Sequence, residues 1–423
     1  MLQINYIKEN KEEAITKLAK RGFNAKTTFE DIIAKDDLRK ETQNKLDEIL
    51  AQSNQIAKEI GDYYKNGEKE KAEEAKEKTG TLKQQSKTLS EKLKQVSEEL
   101  QELLILIPNV PHDSVPNGKL PEDNEIVKIE GDVPKLHSEA LPHWQLAAKY
   151  DLIDFEIGTK ITGAGFPVYK GKGAKLQRAL INFFLDKNTE AGYLEVQPPH
   201  LVNEASGFGT GQLPDKEGQM YHVIDDNLYL IPTAEVPVTN IFRDTIVKSE
   251  EFPIKYTAYT PCFRREAGSY GKDVRGLNRL HQFDKVEIVQ VQKPSDSYQT
   301  LDEMLEHVTK LLRYLELPFR ILKLCSGDMS FTSALTYDME VYSAAQKRWL
   351  EVSSISNFES YQANRLKLRY KDENKKNVLC HTLNGSALAL PRIVASILEN
   401  HQNEKNIRIP KALVPYTGFE YID

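Results

Sequence analysis

The chain has little cysteine and no long apolar run. Its 423 residues include three cysteines, Cys262, Cys325 and Cys380, which lie far apart and show no CxxC or His–Cys spacing. Such a set argues against a disulfide framework or a zinc site and favours a reducing compartment. No stretch of 18 apolar residues occurs, and the first residues, MLQINYIKENKEEA, lack the apolar core of a signal peptide. We therefore expect a cytoplasmic protein without a membrane partner.

An excess of positive charge is also missing. Lys and Arg number 57 against 63 Asp and Glu, a net charge of −6. Composition therefore does not indicate a nucleic-acid-binding protein, and any such partner must be met by a local patch.

Proline is absent from residues 27–106, which contain only three glycines and are rich in Lys, Glu and Gln. Apolar residues recur at spacings of three and four from Leu46 to Tyr63 and from Leu82 to Ile107, on either side of an Asn-Gly turn. This pattern predicts an antiparallel coiled-coil hairpin with limbs about 54 Å long, preceded by a short helical segment over 1–26. A dimerisation coiled coil is the alternative. Residues 27–106 have a net charge of −4, so any RNA contact must use selected side chains. The candidates are Lys40, Lys83, Lys87, Lys92 and Lys94.

The pattern changes after residue 108. Residues 109–125 are rich in proline and predict a linker between an N-terminal arm, 1–108, and a domain over 126–423. There, short strand patterns alternate with helical ones, which indicates an α+β fold with a largely antiparallel sheet. Strands are predicted at 193–196, 228–231, 255–259, 286–291 and 349–354, and helices at 174–188 and 297–315. Neither a Rossmann nor a Walker glycine pattern is present.

Residues 262–289 carry the densest chemical signal. Arg264, Arg265 and Glu266 follow a predicted strand that ends at Phe263, glycines follow at 268, 271 and 276, and a second strand is predicted over 283–289. A hairpin with guanidinium groups at its base suits a polyphosphate, because arginine offers a planar, permanently charged fork. The alternative is an ordinary surface hairpin with solvated charges.

Three further segments have ordinary structural explanations when each is taken alone. The first, Thr233-Ala-Glu235, is also typical of a helix N-cap. The second segment contains Glu351, which is also typical of a charge on an edge strand. The third is the small-residue run HTLNGSALALPR, and the arginine that ends it, Arg392, is also typical of a surface helix residue. A helix is predicted after this run, over 393–400.

Taken together, these segments resemble class II aminoacyl-tRNA synthetases. GYLEVQPP at 192–199, FRRE at 263–266 and the run ending in Arg392 look like motifs 1, 2 and 3 of that class. TAE at 233–235, HQF at 281–283 with Glu287, EVSS at 351–354 and TLNGS at 382–386 are similar to the bacterial type of the seryl-tRNA synthetase family. The N-terminal hairpin resembles the tRNA-binding arm of this family, so the resemblance covers essentially the whole chain.

The resemblance implies a class II antiparallel sheet flanked by helices and an ATP-dependent ligase. The implied reaction is activation of L-serine to seryl-adenylate, with ATP as substrate and Mg²⁺ as cofactor, and transfer to the 3′-terminal adenosine of tRNA(Ser) and tRNA(Sec). Motif 1 implies a homodimer. An arm-bearing paralogue that activates an amino acid for another acceptor and a non-catalytic RNA-binding scaffold are the alternatives.

The family motifs also assign residues. L-serine binding falls to Thr233, Ala234, Glu235, Arg264, Glu287, Asn384 and Ser386. ATP binding falls to Arg264, Arg265, Glu266, Leu280, Phe283, Glu351, Val352, Ser353, Ser354 and Arg392. Catalysis is assigned to Arg264, Glu351 and Arg392, and Mg²⁺ binding to Glu351 and Ser354. The chain departs from the family where Ala387 and Pro391 stand at positions that are commonly glycine.

Overall fold

A computed structural model describes residues 1–267 and 275–423 and divides the chain into two compact units, Met1–Pro108 and Asn109–Asp423. Of the glycines predicted to shape the turn after Glu266, Gly268 and Gly271 lie outside the described residues. Within the described ranges, no helix combines the length and apolar character needed to cross a membrane.

The N-terminal unit is helical, as predicted. Its helices are α1 (Ile4–Glu9), α2 (Lys11–Lys20), α3 (Ala25–Lys65) and α4 (Lys69–Ile105). The long helices α3 and α4 pack together as the predicted hairpin, and the chain reverses at Asn66 and Gly67. Near the base their buried residues are large and apolar, including Phe29, Ile32 and Leu100, whereas near the turn they are Ala72 and Ala75.

One carboxylate is buried in this unit. Asp36 on α3 is 1% exposed and accepts hydrogen bonds from Lys8 (2.8 Å) and Arg39 (2.8 Å), and Lys40 lies 2.9 Å away. Burial alone would raise the pKa of Asp36, but these three cations hold it well below its ordinary value. The carboxylate thereby joins α1 to α3.

The second unit mixes helices and strands. Its helices are α5 (His143–Lys149), α6 (Phe155–Ile161), α7 (Gly171–Glu190), α8 (Glu204–Thr210), α9 (Glu235–Asn240), α10 (Ser297–Tyr314), α11 (Ser360–Leu366), α12 (Leu390–Asn400) and α13 (Val414–Thr417). Its strands are β1 (Glu125–Glu130), β2 (Ile153–Asp154), β3 (Val168–Tyr169), β4 (Leu194–Glu195), β5 (Leu201–Asn203), β6 (His222–Val223), β7 (Leu228–Leu230), β8 (Ile246–Val247), β9 (Ile254–Phe263), β10 (Gln282–Gln292), β11 (Phe319–Lys323), β12 (Leu335–Ser343), β13 (Arg348–Asn357), β14 (Arg369–Lys371), β15 (Asn377–Leu379), β16 (His381–Ala389), β17 (Ile407–Arg408) and β18 (Tyr421–Ile422).

Within the described residues, the main sheet has eight strands in the order β1-β11-β12-β13-β16-β10-β9-β4. Adjacent strands in this sheet are antiparallel, except that the short edge strand β4 runs parallel to β9. The predicted antiparallel class II sheet is therefore present, and β9 ends at Phe263 as the sequence indicated.

Side-chain alternation divides the main sheet into an apolar and a polar face. On β10, Val286 and Ile288 join the hydrophobic core that also contains residues of α7, α10 and α12. Phe283, Lys285 and Glu287 lie on the opposite face, because successive residues of a strand point to opposite sides. The apolar face packs against helices, and the polar face is left to line a cavity.

The predicted linker, residues 109–125, belongs to the second unit by its contacts. Asn109 is buried, and its side-chain amide donates to the carbonyls of Thr332 and Phe358, both at 2.9 Å. Val115 lies in the main core, and Glu125 already begins β1.

Candidate active site

A cavity of ≈ 440 Å³ opens on the polar face of the central strands. Strands β10, β13 and β16 supply its floor, and the segments around residues 212, 233, 265, 278 and 331 supply its sides. Its lining residues are Gln212, Thr233, Glu235, Arg264, Glu266, Leu277, Asn278, Arg279, Leu280, Phe283, Lys285, Glu287, Ser330, Thr332, Glu351, Val352, Ser353, Ser354, Ser356, Phe358, Asn384, Ser386, Ala389, Pro391 and Arg392. The lining is mostly polar, which suits a polar, charged ligand.

One part of the cavity gathers buried charges. Lys285 and Glu287, two residues apart on β10, form an ion pair of 2.5 Å and are only 6% and 2% exposed. Lys285 Nζ also donates to Thr233 Oγ1 at 2.9 Å, and this hydroxyl lies 3.3 Å from Glu287 Oε2. A charge pair this deeply buried is costly unless its polar atoms are satisfied, so a connected network is the expected arrangement.

Glu235, the first residue of α9, adds a second carboxylate to this cluster. Its burial, followed by the neighbouring charge of Glu287, raises its pKa to about 7, although a 2.6 Å hydrogen bond from Gln362 opposes the shift. Gln362 is itself oriented, because its oxygen accepts a hydrogen bond from Thr382 at 2.7 Å. Two carboxylates and one lysine in this space favour a ligand that brings its own ammonium group, which would relieve the repulsion between Glu235 and Glu287.

A second part of the cavity presents arginines and an aromatic ring. The guanidinium of Arg264 lies 5.3 Å from the centre of the Phe283 ring, and its Nε donates to the carbonyl of Pro232 at 3.3 Å. Glu266 adopts a left-handed backbone conformation (φ 49°) and forms a 2.9 Å ion pair with Arg279. Aromatic and guanidinium planes together suit a base and its phosphates.

Arg392, at the start of α12, is held at two points. Its Nε donates to the carbonyl of Asn278 at 3.1 Å, and its Nη1 donates to the carbonyl of Glu351 at 2.7 Å. The carboxylate of Glu351 lies 3.5 Å from the same nitrogen and is half-exposed, at 49%. Arg392 is thereby oriented along the cavity wall, with its remaining donors available to an anion.

Two further residues with oxygen donors lie on the strands near Glu351. Ser354 lies on the same strand, and Asp338 is opposite Ser354 on β12 with an Oδ1 that is buried and has no hydrogen-bond partner. Burial, then the nearby charge of Glu351, raises the pKa of Asp338. No group of three His, Cys, Asp or Glu residues able to hold a metal occurs in the part of the chain that the structure describes. The donor chemistry fits a divalent cation such as Mg²⁺ that takes its other ligands from phosphate or water.

Of the residues assigned from the sequence motifs, all but two line this cavity. Ala234 is instead buried against Val238, Ala258 and Val289. The guanidinium of Arg265 stacks on Tyr221, with 5.9 Å to the ring centre. For these two residues and for those that line the cavity alike, the assigned roles in ligand binding stay predictions.

The motifs did not single out several other residues at this site. Lys285 shares the strand face of Phe283 and Glu287, so the period-two alternation of β10 was a usable signal. Asn278 and Thr332 come from segments without a periodic pattern, and only the fold brings them to the cavity.

Known proteins resemble this chain over its whole length. The family description "Seryl-tRNA synthetase N-terminal domain" matches residues 1–111, and "tRNA synthetase class II core domain (G, H, P, S and T)" matches residues 221–401. The chain is 47% identical to the serine–tRNA ligase of Salinibacter ruber over 424 residues, covering 100% of this chain and 99% of that protein. It is 49% identical to the serine–tRNA ligase of Nautilia profundicola over 416 residues, covering 98% and 96%.

Solved structures show the same likeness. Seryl-tRNA synthetase from Pyrococcus horikoshii complexed with ATP superposes with a TM-score of 0.90 at 32% identity, covering 100% of this chain and 99% of that one. The cytoplasmic serine–tRNA ligase of Naegleria fowleri in complex with AMP gives a TM-score of 0.85 at 27% identity, again covering 100% and 99%.

Proposed function

This chain belongs to the seryl-tRNA synthetase family of class II aminoacyl-tRNA synthetases, and from that premise we propose how its cavity carries out the reaction. The reaction is the ATP-dependent activation of L-serine to seryl-adenylate and the transfer of the seryl group to tRNA(Ser). The observation that carries the mechanism is that a single cavity is lined both by the buried Glu235–Lys285–Glu287 cluster and by Arg264, Phe283 and Arg392.

We assign the buried cluster to L-serine. Glu235 and Glu287 take the substrate ammonium and hydroxyl, while Thr233, Asn384 and Ser386 bound the space around the side chain. Alanine is rejected by roughly 10⁴, because it would leave a buried polar group of this cluster unpaired. Threonine is excluded by its extra methyl group, which is a weaker filter.

The arginines and Phe283 serve ATP. Arg264 bridges the serine carboxylate and the α-phosphate, Phe283 and Arg392 enclose the adenine, and Arg392 also reaches the γ-phosphate. Glu266 accepts a hydrogen bond from the adenine amino group. The serine carboxylate is already ionised. It attacks the α-phosphate in line, the bond from the α-phosphorus to the bridging α,β-oxygen breaks, and pyrophosphate leaves, so the protein contributes positioning and charge stabilisation and needs no strong base.

Glu351 and Ser354 would hold Mg²⁺ together with phosphate oxygens, and the bound ion would neutralise phosphate charge. The support is that the half-exposed carboxylate of Glu351 and the hydroxyl-bearing Ser354, both hard oxygen donors, line the same cavity.

The proposal extends to partners. The N-terminal hairpin binds the tRNA, and tRNA(Sec) is a second acceptor beside tRNA(Ser). Motif 1 forms the interface of a homodimer, which is supported by the exposed Leu194 on the edge strand β4. Size-exclusion chromatography with light scattering tests the dimer, and charging of each purified tRNA tests the acceptors. The enzyme acts in the cytoplasm, a location that cell fractionation tests.

Serine-dependent ATP–pyrophosphate exchange is the primary test, with alanine, threonine and glycine in parallel, followed by charging of total tRNA with labelled serine. Exchange and charging with serine alone support the proposal. Exchange without charging indicates the paralogue that serves another acceptor, and absence of exchange with every amino acid indicates a non-catalytic scaffold.

A further inference from the structure

A buried histidine and a buried glutamate form a network behind the nucleotide side of the cavity. His143, the first residue of α5, and Glu399, near the end of α12, are both completely buried. The His143 Nδ1 lies 2.6 Å from Glu399 Oε1, and the backbone N–H of His143 donates to the same oxygen at 2.9 Å. None of the family motifs in the sequence includes either residue.

The protonation of this histidine follows from its partners. Its Nε2 accepts a hydrogen bond from the backbone N–H of Leu277 at 2.8 Å, so this nitrogen carries no proton. The proton therefore lies on Nδ1, which donates to Glu399. Glu399 also accepts from Gln346 Nε2 at 2.9 Å and from the hydroxyl of Ser343, which satisfies a carboxylate that is otherwise cut off from water.

The network ends on the segment that lines the cavity. Leu277 is bonded to His143 directly, and Asn278 is reached through Gln346, whose Oε1 accepts from Asn278 Nδ2 at 3.0 Å. The carbonyl of Asn278 then accepts from Arg392 Nε at 3.1 Å. Two routes therefore connect Glu399 to the backbone whose carbonyl orients Arg392.

Close packing reinforces this contact. Gly276 has φ +65°, and a Cβ at this position would lie 2.3 Å from His143 Nε2. Beside it, the guanidinium of Arg275 lies 4.9 Å from the centre of the Trp144 ring. The segment 275–278 thus rests on the start of α5 through one hydrogen bond, one stacking contact and one glycine without room for a side chain.

We infer that His143 is a positioning residue for ATP: held by Glu399, it sets the backbone of 276–278 and thereby the orientation of Arg392 and the wall of the nucleotide site. This inference rests on the proposed function, because it takes Arg392 and its neighbours as the ATP site. It predicts that disturbing His143 changes the use of ATP and leaves the use of serine nearly unchanged, because the network does not include Glu235, Lys285 or Glu287.

Two substitutions separate the two nitrogens of the ring. His143→Gln places an amide oxygen near the position of Nε2 and keeps an acceptor for Leu277. His143→Asn places an amide N–H near the position of Nδ1, keeps a donor for Glu399 and leaves the buried N–H of Leu277 unpaired. We expect His143→Asn to raise the KM for ATP about tenfold, and His143→Gln to stay within about threefold of the wild type.

The measurement is ATP–pyrophosphate exchange with ATP and serine varied in turn, together with the melting temperature of each variant. His307→Gln is the matched control, since this half-buried histidine bonds to Asn188 Oδ1 at 2.7 Å outside the cavity lining. A larger KM for ATP in His143→Asn than in His143→Gln, with the KM for serine within twofold, supports the inference.

Equal effects of the two substitutions, or equal changes in the KM for ATP and for serine, overturn it and assign His143 a general structural role. If the wild type itself shows no serine-dependent exchange, the proposed function fails. If the wild type and His307→Gln are active and both His143 variants match them, only the inference about His143 fails.

Discussion

Charged side chains of the N-terminal hairpin pair along its surface, whereas those of the second unit converge in a buried cavity. On α3 and α4, Lys45 pairs with Glu41 at 2.5 Å and Lys78 with Glu74 at 2.8 Å, each one helical turn apart. In the second unit, Glu235, Lys285 and Glu287 are all at most 9% exposed.

The difference shows where charge serves stability and where it serves binding. An exposed pair one turn apart contributes little to stability, and its lysine remains free to exchange the carboxylate for another anion such as a phosphate. A buried carboxylate pair raises the free energy of the empty protein, and a cationic ligand recovers that cost on binding. Substitution of charged residues on the hairpin should therefore have little effect on stability, whereas substitution of the buried charges of the cavity should change which ligand it binds.

The largest expected effect comes from the cavity. Arg264→Ala should lower kcat/KM for ATP–pyrophosphate exchange by about 10³, because the guanidinium assigned to the developing charge at the α-phosphate is lost. Arg313→Ala is the control, since Arg313 pairs with Glu130 and Glu306 at the surface, and this variant should stay within twofold. If both variants lose a similar factor in kcat/KM, charges in the cavity and charges on the surface do not differ in their contribution to activity.

Glu235→Gln tests whether the buried charge of Glu235 is needed for the use of serine. The pKa of about 7 leaves this carboxyl neutral below pH 7 and charged above it, so kcat/KM for serine should rise with pH through 7. In the variant this rise should disappear, and kcat/KM at pH 8 should fall about 10²-fold.

The same substitution should stabilise the empty protein. Because the folded-state pKa lies above the unfolded value of about 4.3, the neutral form stabilises the fold most below pH 4, and this contribution is lost as pH rises to 7. Glu235→Gln should therefore exceed the wild type in free energy of unfolding by about 4 kcal/mol at pH 8 and by little at pH 4, measured by urea denaturation without serine. A variant that is less stable at pH 8 would contradict this account.

Asp36 is the exception within the N-terminal unit, because it is a buried carboxylate there. Asp36→Asn should lower the free energy of unfolding of this unit by about 2 kcal/mol at pH 7, since Lys8, Arg39 and Lys40 lose their shared partner. The native pKa of Asp36 lies below its unfolded value, so its stabilisation is present above pH 4 and is lost as pH falls further.

Hydrogen exchange of α1 and α3 in the full chain measures this effect. Asp37→Asn is the matched control, because Asp37 bonds to the same Lys8 at 2.7 Å but is 64% exposed. If Asp37→Asn loses as much protection as Asp36→Asn, burial of the carboxylate does not determine how much these ion pairs contribute to stability.

The smallest effect is expected on the hairpin surface. Among the residues described, Lys83 and Lys87 on α4 have no ion-pair partner, and they lie one turn apart. The double substitution to alanine should raise the KM for tRNA about tenfold with a shallower salt dependence, while ATP–pyrophosphate exchange stays unchanged. Lys45→Ala, in which a paired lysine is removed, is the control. An unaltered KM for tRNA in the double variant would place the RNA contact elsewhere.

Much of the fold was accessible from the sequence because it depends on local periodicity. The spacing of three and four predicted α3 and α4, and the absence of proline over 27–106 agrees with helices of 41 and 37 residues. The alternation on β10 predicted a strand with one polar face, and that face lines the cavity. The motif residues were recognisable because their order along the chain matches the motifs of class II synthetases.

Other features were not accessible, because they depend on contacts between distant residues. His143 and Glu399 are 256 positions apart, and neither lies in a segment whose composition sets it apart. Asn278 accepts the hydrogen bond from Arg392 through its backbone carbonyl. Because every residue has this carbonyl, the identity of the side chain does not indicate the contact.

By itself, the sequence determined the helical hairpin, the antiparallel class of the sheet and the chemical types of the site residues. The first two follow from the period of the side chains, and the third follows from the match of several short segments to the class II motifs. Only the tertiary structure decided that Lys285 pairs with Glu287, that burial and Glu287 together raise the pKa of Glu235, and that Glu399 supports the segment holding Arg392. Those properties arise from distance and desolvation, which exist only once the strands and helices have packed.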